Sequence, residues 1–129
     1  MTPKFRAYDS GSLSRMYQPD EVMVGDGNIW IIDEDSVAGE WIVNNDIHLM
    51  QSTGILDKNG KEIFEGDIVD YKGRKAVIKW HGSYASFIYI FVDELQKRVA
   101  GWSPLYLAYF HFEVIGNKFE TPELLEVKE

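Results

Sequence analysis

Apolar residues in this chain come in short runs with polar residues between them, and Gly, Asn, Asp or Pro closes most runs. That spacing belongs to strands and tight turns, and hardly any window repeats with the 3.6-residue period of a helix. Lys4-Phe5-Arg6-Ala7-Tyr8 alternates polar and apolar and predicts a first strand. Asp9-Ser10-Gly11-Ser12 turns the chain, and Ser14-Arg15-Met16-Tyr17 returns antiparallel until Pro19-Asp20-Glu21, where Pro offers no ladder donor. Val22-Met23-Val24 and Asn28-Ile29-Trp30-Ile31-Ile32 flank a turn at Gly25-Asp26-Gly27, so this part reads as a β-meander. Asp33-Glu34-Asp35 leads through Gly39 to Trp41-Ile42-Val43, and Asn44-Asn45-Asp46 precedes Ile47-His48-Leu49-Met50, a short strand or a single helical turn.

The stretch from Met50 to Val69 organises the rest, with Gly54, Gly60 and Gly66 dividing it into apolar pieces. Asn59-Gly60 predicts a type I′ reversal, which needs positive φ at both residues and would set Ile55-Leu56 against Ile63-Phe64. Gly66-Asp67 is a second turn. Asp67 to Lys72 and Ala76 to Trp80 then form two strands around Lys72-Gly73-Arg74, with Ile68, Tyr71, Val77, Ile78 and Trp80 as core candidates. Ala85 to Val92 is the most hydrophobic run, and its β-branched and aromatic content predicts a strand buried on both faces. Asp93 to Arg98 is a polar connection, Trp102 to Phe112 is aromatic-rich around Pro104, and Glu113-Val114-Ile115-Gly116-Asn117 ends a strand in a turn. Thr121 followed by Pro122 and Glu123 is the pattern of a helix N-terminus and predicts one or two terminal helical turns.

The expected fold is mainly β: an N-terminal β-meander subdomain over 1–49 and a second β subdomain over 50–129, closed by a short helix. At 129 residues and 45% apolar content the chain is long and hydrophobic enough to bury a core. No run approaches the roughly 20 apolar residues of a membrane helix, and Met1-Thr2-Pro3-Lys4 does not open a signal peptide, so the expectation is a cytoplasmic protein without membrane contact. Cys is absent, which removes disulfides and thiolate metal sites.

A net charge of −8 repels nucleic acid unless the cations are gathered in one place. One place qualifies. Between Tyr71 and Val92 there is no Asp or Glu, while Lys72, Arg74, Lys75 and Lys79 all occur; without those four, nine Lys and Arg face 21 carboxylates, a net charge of −12. Tyr71, Trp80, Tyr84 and Phe87 lie in the same stretch and are of a type that stacks on bases or partner side chains. The plainer reading of these lysines is protection of a strand edge.

No catalytic constellation emerges. Asp57-Lys58-Asn59-Gly60-Lys61-Glu62 has its Gly at the wrong position for an acidic calcium loop. Glu62, Glu65 and Asp67 form a carboxylate group that suits turn and strand-entrance roles better than metal-dependent hydrolysis, with Asp67 bonding backbone N–H groups. His48, His81 and His111 are widely separated, and no phosphate loop, nucleophile elbow or dinucleotide fingerprint is present. The expectation is a protein that is not an enzyme and takes no cofactor.

The run Met50-Gln51-Ser52-Thr53-Gly54-Ile55-Leu56-Asp57-Lys58-Asn59-Gly60-Lys61-Glu62-Ile63-Phe64-Glu65-Gly66-Asp67-Ile68-Val69 resembles the signature of the YopX family of small phage and prophage proteins. Lys4-Phe5-Arg6-Ala7-Tyr8 with Met16-Tyr17 is similar to that family's opening, and Val114-Ile115-Gly116-Asn117 with Pro122-Glu123-Leu124-Leu125 to its close. Ser52 and Ile55 stand where the family more often has an aromatic and Leu, and the 81 to 108 region matches loosely. The resemblance implies mostly β structure, a C-terminal half similar to a small SH3-like barrel, and carriage on a mobile element of a bacterial host. It implies no activity and carries over no site residues. Two functions are therefore expected. One is a non-catalytic module binding a host or phage protein, or a second copy of itself, through a strand edge and an aromatic surface. The other is a nucleic-acid-associated regulator using Lys72, Arg74, Lys75 and Lys79 with Tyr71 and Trp80.

Overall fold

The computed structural model describes residues 4–11, 14–33, 35–97, 101–105 and 109–126. Ser12, Glu34, Arg98 and residues 106–108, which enter the sequence reading above, lie outside them. Strand takes 52% of the structure and helical turns 14%, so the chain is mainly β. It divides into two compact units, Met1–Ser52 and Thr53–Glu129.

In the first unit, β1 (Phe5–Asp9) pairs antiparallel with both β2 (Arg15–Tyr17) and the start of β6 (His48–Leu56). The expected first hairpin is therefore present, and residues 48–50 open a nine-residue strand rather than a helical turn. Gly54, at φ +75, lies inside that strand and does not divide it. A three-stranded antiparallel sheet runs β3 (Val22–Gly25), β4 (Asn28–Ile32), β5 (Trp41–Val43). Asp26 and Gly27, at φ 52 and 76, form the type I′ turn between β3 and β4. Ala7, Tyr17, Val22, Ile31 and Ile47 make the core of this unit.

The second unit pairs the end of β6 with β7 (Glu62–Phe64). The turn between them differs from the type I′ expectation. Gly60 alone has positive φ (+83), and Asn59 does not. Asp57 decides this: its Oδ1 accepts from the amides of Asn59 at 2.9 Å and Lys61 at 2.8 Å, while the Gly60 amide donates to the Asp57 carbonyl. The side chain thus imposes a type I turn over Lys58-Asn59, followed by a left-handed Gly. Since nothing lies within 4 Å of where a Gly60 Cβ would stand, Gly60→Ala reports backbone strain alone. The expected loss is about 1 kcal/mol in a denaturant melt, with Gly60→Asn losing less.

β8 (Asp67–Tyr71), β9 (Arg74–His81), β10 (Ser86–Phe91), β11 (Ser103–Pro104) and β12 (Phe112–Asn117) form an antiparallel sheet in the order β11-β10-β9-β8-β12, curled as a half-barrel. Lys72 and Gly73, at φ 50 and 89, make a second type I′ turn. The sheet buries apolar residues on both faces. Ile63, Val69, Ala76, Ile78, Tyr89, Leu105 and Phe112 cluster on one, and Val77, Ile88 and Ile90 on the other, where Leu95 and Leu125 cover them. β10 therefore contributes to both clusters, as its unbroken hydrophobicity predicts.

Two further expectations are corrected. Trp80 is 46% exposed and not a core residue, because β9 runs beyond the clusters at that end. The terminal helix is a single 3-10 turn over Pro122–Leu125. Thr121 does not cap it, since its hydroxyl accepts from the Asn117 amide and donates to the Asn117 carbonyl, both at 2.9 Å. Both bonds turn the hydroxyl back toward Asn117, and it makes no bond to the first helical amides.

Candidate functional site

β9 leaves the packed part of its sheet at Trp80 and His81 and enters a 3-10 turn over Gly82–Tyr84. Ala85, at φ 47, closes that turn, and β10 starts at the next residue. The 3-10 turn stacks side chains three residues apart, which sets Tyr84 against His81 with ring centroids 4.8 Å apart. Trp102 arrives one residue before β11, which pairs with β10, and stands 4.8 Å from His81 and 5.1 Å from Tyr84. Three rings thus touch pairwise at the surface, Tyr84 being 66% and Trp102 38% exposed. Each such pair contributes roughly 0.5–1.5 kcal/mol beyond its area, so the group is pre-formed rather than collapsed on demand. His81 Nδ1 is shielded from solvent and has no hydrogen-bond partner among the described residues. Trp80 packs edge-on against Phe87, its neighbour across the strands, at 4.9 Å.

The sequence-predicted cations do not share one surface. Along β9, Ala76 and Ile78 point to the larger cluster and Val77 to the smaller, so Arg74 and Trp80 belong to the first face and Lys75 and Lys79 to the second. Arg74 donates to Asp93 Oδ1 at 2.8 Å and lies over the Phe91 ring at 3.6 Å. Lys75 stands opposite Asp70, and Lys79 opposite Ile88. Lys72 is in the hairpin turn, 5.5 Å above the Tyr71 ring. Tyr71 itself is half-buried and packs with Tyr89, Phe91, His111 and Phe112. Arg74 and Trp80 are six positions apart on β9, about 20 Å of strand. Of the predicted contact residues, Tyr71, Lys72 and Arg74 gather at one end of β9, and Trp80 stands at the other with Phe87.

Sequence reasoning missed the place of Trp102, because nothing local marks a residue 18 positions beyond Tyr84 as its neighbour. The three histidines have separate surroundings: His48 Nε2 is 2.9 Å from Ser10 Oγ, His111 packs on Tyr71, and His81 lies in the aromatic group. Asp67 Oδ2 accepts from the Phe64 amide at 2.8 Å, the strand-entrance role its position predicts. Among the described residues, no three His, Asp or Glu side chains are grouped to hold a metal ion, and no helix is long and apolar enough to cross a membrane.

Comparison with known proteins bears on the whole chain. No curated protein matches it. Among solved structures, the crystal structure of protein EF1440 from Enterococcus faecalis is similar, with 30% identity and a TM-score of 0.57 over 98% of this chain and 99% of that one. The family described as YopX protein matches residues 4–126, the span from the first strand to the last 3-10 turn, and the chain belongs to that family.

Proposed function

We propose that this YopX-family protein is a non-catalytic interaction module of a phage or prophage, acting in the cytoplasm of the bacterial host, that binds a host or phage protein. The observation that carries the reading is the His81, Tyr84 and Trp102 group, an aromatic surface held in place by a tight turn and by strand pairing. Aromatic side chains of this kind dominate protein interfaces because they bury large area at small entropic cost. We read the curled five-stranded sheet as a small SH3-like barrel that presents them. The rival reading, a nucleic-acid regulator, draws on Lys79, which shares a strand face with His81. It is the weaker, because Arg74 is engaged by Asp93 and Lys75 faces Asp70.

A pull-down of tagged protein from host lysate, split into nuclease-treated and untreated halves, separates the two. The expected result is a protein that survives nuclease and about 0.5 M salt, where phosphate contacts weaken steeply. It should be lost with the Tyr84→Ala/Trp102→Ala variant, which gives up the three ring contacts and should therefore melt several degrees lower while staying folded at the temperature of the pull-down. Recovery of nucleic acid that high salt or Lys79→Ala removes would support the rival reading.

A further inference from the structure

The sheet of β3, β4 and β5 has two different faces. Val22 and Ile31 lie in the core of the first unit. On the opposite face Met23, Trp30 and Val43 stand side by side across the three strands, with Trp41 two residues along β5. Met23 is 46%, Val43 44% and Trp41 37% exposed, and Ile42 on the other face is also 43% exposed. An apolar side-chain row thus ends at β5, the last strand of its sheet.

The backbone of β5 is equally open. The Asp33 amide donates to the Glu40 carbonyl at 2.7 Å, and the Asn44 amide to the Ile29 carbonyl at 2.9 Å. These two bonds fix the ladder phase: Ile42 is the residue of β5 that exchanges hydrogen bonds with β4, through Ile31. The N–H and C=O groups of Trp41 and Val43 therefore point away from β4, toward the position of a further strand. Neither Lys nor Pro, two of the residues that blunt strand edges, occurs in β5, and its three residues leave room for a short added strand.

Charge decides what fits. Between Arg15 and Lys58 the chain contains nine Asp or Glu and no Lys or Arg. Glu40 adjoins β5, Asp33 is bonded to Glu40 across the ladder, and Asp35 and Asp46 lie in the loops on either side. A second copy pairing through β5 would bring the same carboxylates against these, a like-charge contact that disfavours it. We propose that the β5 edge and the Met23, Trp30 and Val43 row take an extended, basic protein segment as an added strand, with its apolar side chains on the row and its Lys or Arg toward the flanking acids. This surface goes beyond the aromatic group of the second unit and is tested apart from it.

The probe is a labelled peptide of about seven residues alternating Lys and Val, long enough for one added strand, titrated against the full chain by fluorescence anisotropy. Controls are the Glu-for-Lys peptide and one in which alternate Val are Pro. Val43→Pro removes an outward donor and leaves the bonds to β4, and Val43→Lys places a like charge on the row. Saturable binding of the Lys/Val peptide, weakened about tenfold or more by either variant and by both controls, is expected, with partial loss at about 0.5 M salt. Retained binding in Tyr84→Ala/Trp102→Ala would show that this surface stands whether or not the aromatic group binds anything. Failure of the peptide to bind, equal binding of the Glu or Pro controls, or indifference to both Val43 variants overturns the proposal. So does a stable dimer that Val43→Lys makes monomeric, which would make a second copy the occupant.

Discussion

Asp57→Ala is expected to cost about 2–4 kcal/mol of folding stability, read as a shift in the denaturant midpoint at unchanged slope. Asp57 is only 6% exposed, and its two oxygens serve different parts of the second unit. Oδ1 holds the turn through Asn59 and Lys61, and Oδ2 accepts from the Val114 amide on β12 at 2.9 Å. All three bonds are partly buried, and the one to Val114 is the link between the turn and the outer side of β12, so its loss frees the turn from the sheet as well as leaving a donor unpaired. Asp57→Asn should lose less than alanine but not recover the parent: its Oδ1 keeps the turn, and its NH₂ meets the Val114 N–H donor to donor.

The same geometry fixes the pH dependence. Burial pushes the Asp57 carboxyl up, but the bonds from Val114, Lys61 and Asn59 and the Lys61 charge outweigh it and hold the group below its ordinary 3.8. A carboxyl depressed on folding stabilises fully above its unfolded pKa, and that stability is lost as pH falls through the folded value. The stability gap between the parent and Asp57→Ala should therefore be full at neutral pH and narrow below about pH 4. Denaturant melts of both proteins across that range measure it.

Gly116→Ala is the second large effect, with an expected loss of about 2–3 kcal/mol. β12 slips register between Val114 and Gly116, with Ile115 as the extra residue, and the bulge brings Gly116 under the last turn. A Cβ there would stand 2.1 Å from Thr121 Oγ1 and 2.8 Å from Leu124 Cδ1. Leu124 can swing away. Thr121 cannot, because its hydroxyl is bonded to both backbone groups of Asn117. Asn117, only 6% exposed, in turn accepts from the amides of Phe119 and Glu120. The added methyl thus breaks a connected turn rather than one contact. A double-mutant cycle checks the cause: in a Thr121→Ala background, Gly116→Ala should cost distinctly less, and in Thr121→Ser it should cost the same as in the parent.

These two sites also mark where sequence reading ran out. Strands showed wherever alternation or an apolar run was strong, as in β1, β4 and β10, and Asp-Gly at 26–27 announced its hairpin through backbone preference alone. Asn59-Gly60 carried the same local signal and gave another turn, because Asp57 competes for the amides and is itself placed by Val114, 57 residues away. Thr121-Pro122 failed as a helix start for a parallel reason, the hydroxyl being claimed by Asn117. In both cases a long-range or backward side-chain bond overrode a local preference. Tyr84 was legible as one of the aromatics in the stretch that carries the cations, whereas its grouping with His81 and Trp102 depends on β11 bringing Trp102 to β10. The cluster of cations was legible as composition only; strand alternation then divided Lys75 and Lys79 from Arg74.

The most direct test of the interaction-module reading is photocrosslinking in the host, with p-benzoylphenylalanine replacing Tyr84 and, as a control, replacing Leu56, which is 53% exposed. One discrete protein adduct is expected from position 84, absent from position 56 and lost when Trp102→Ala is added. Adducts equal at both positions, or adducts at position 84 that nuclease digests, would contradict it.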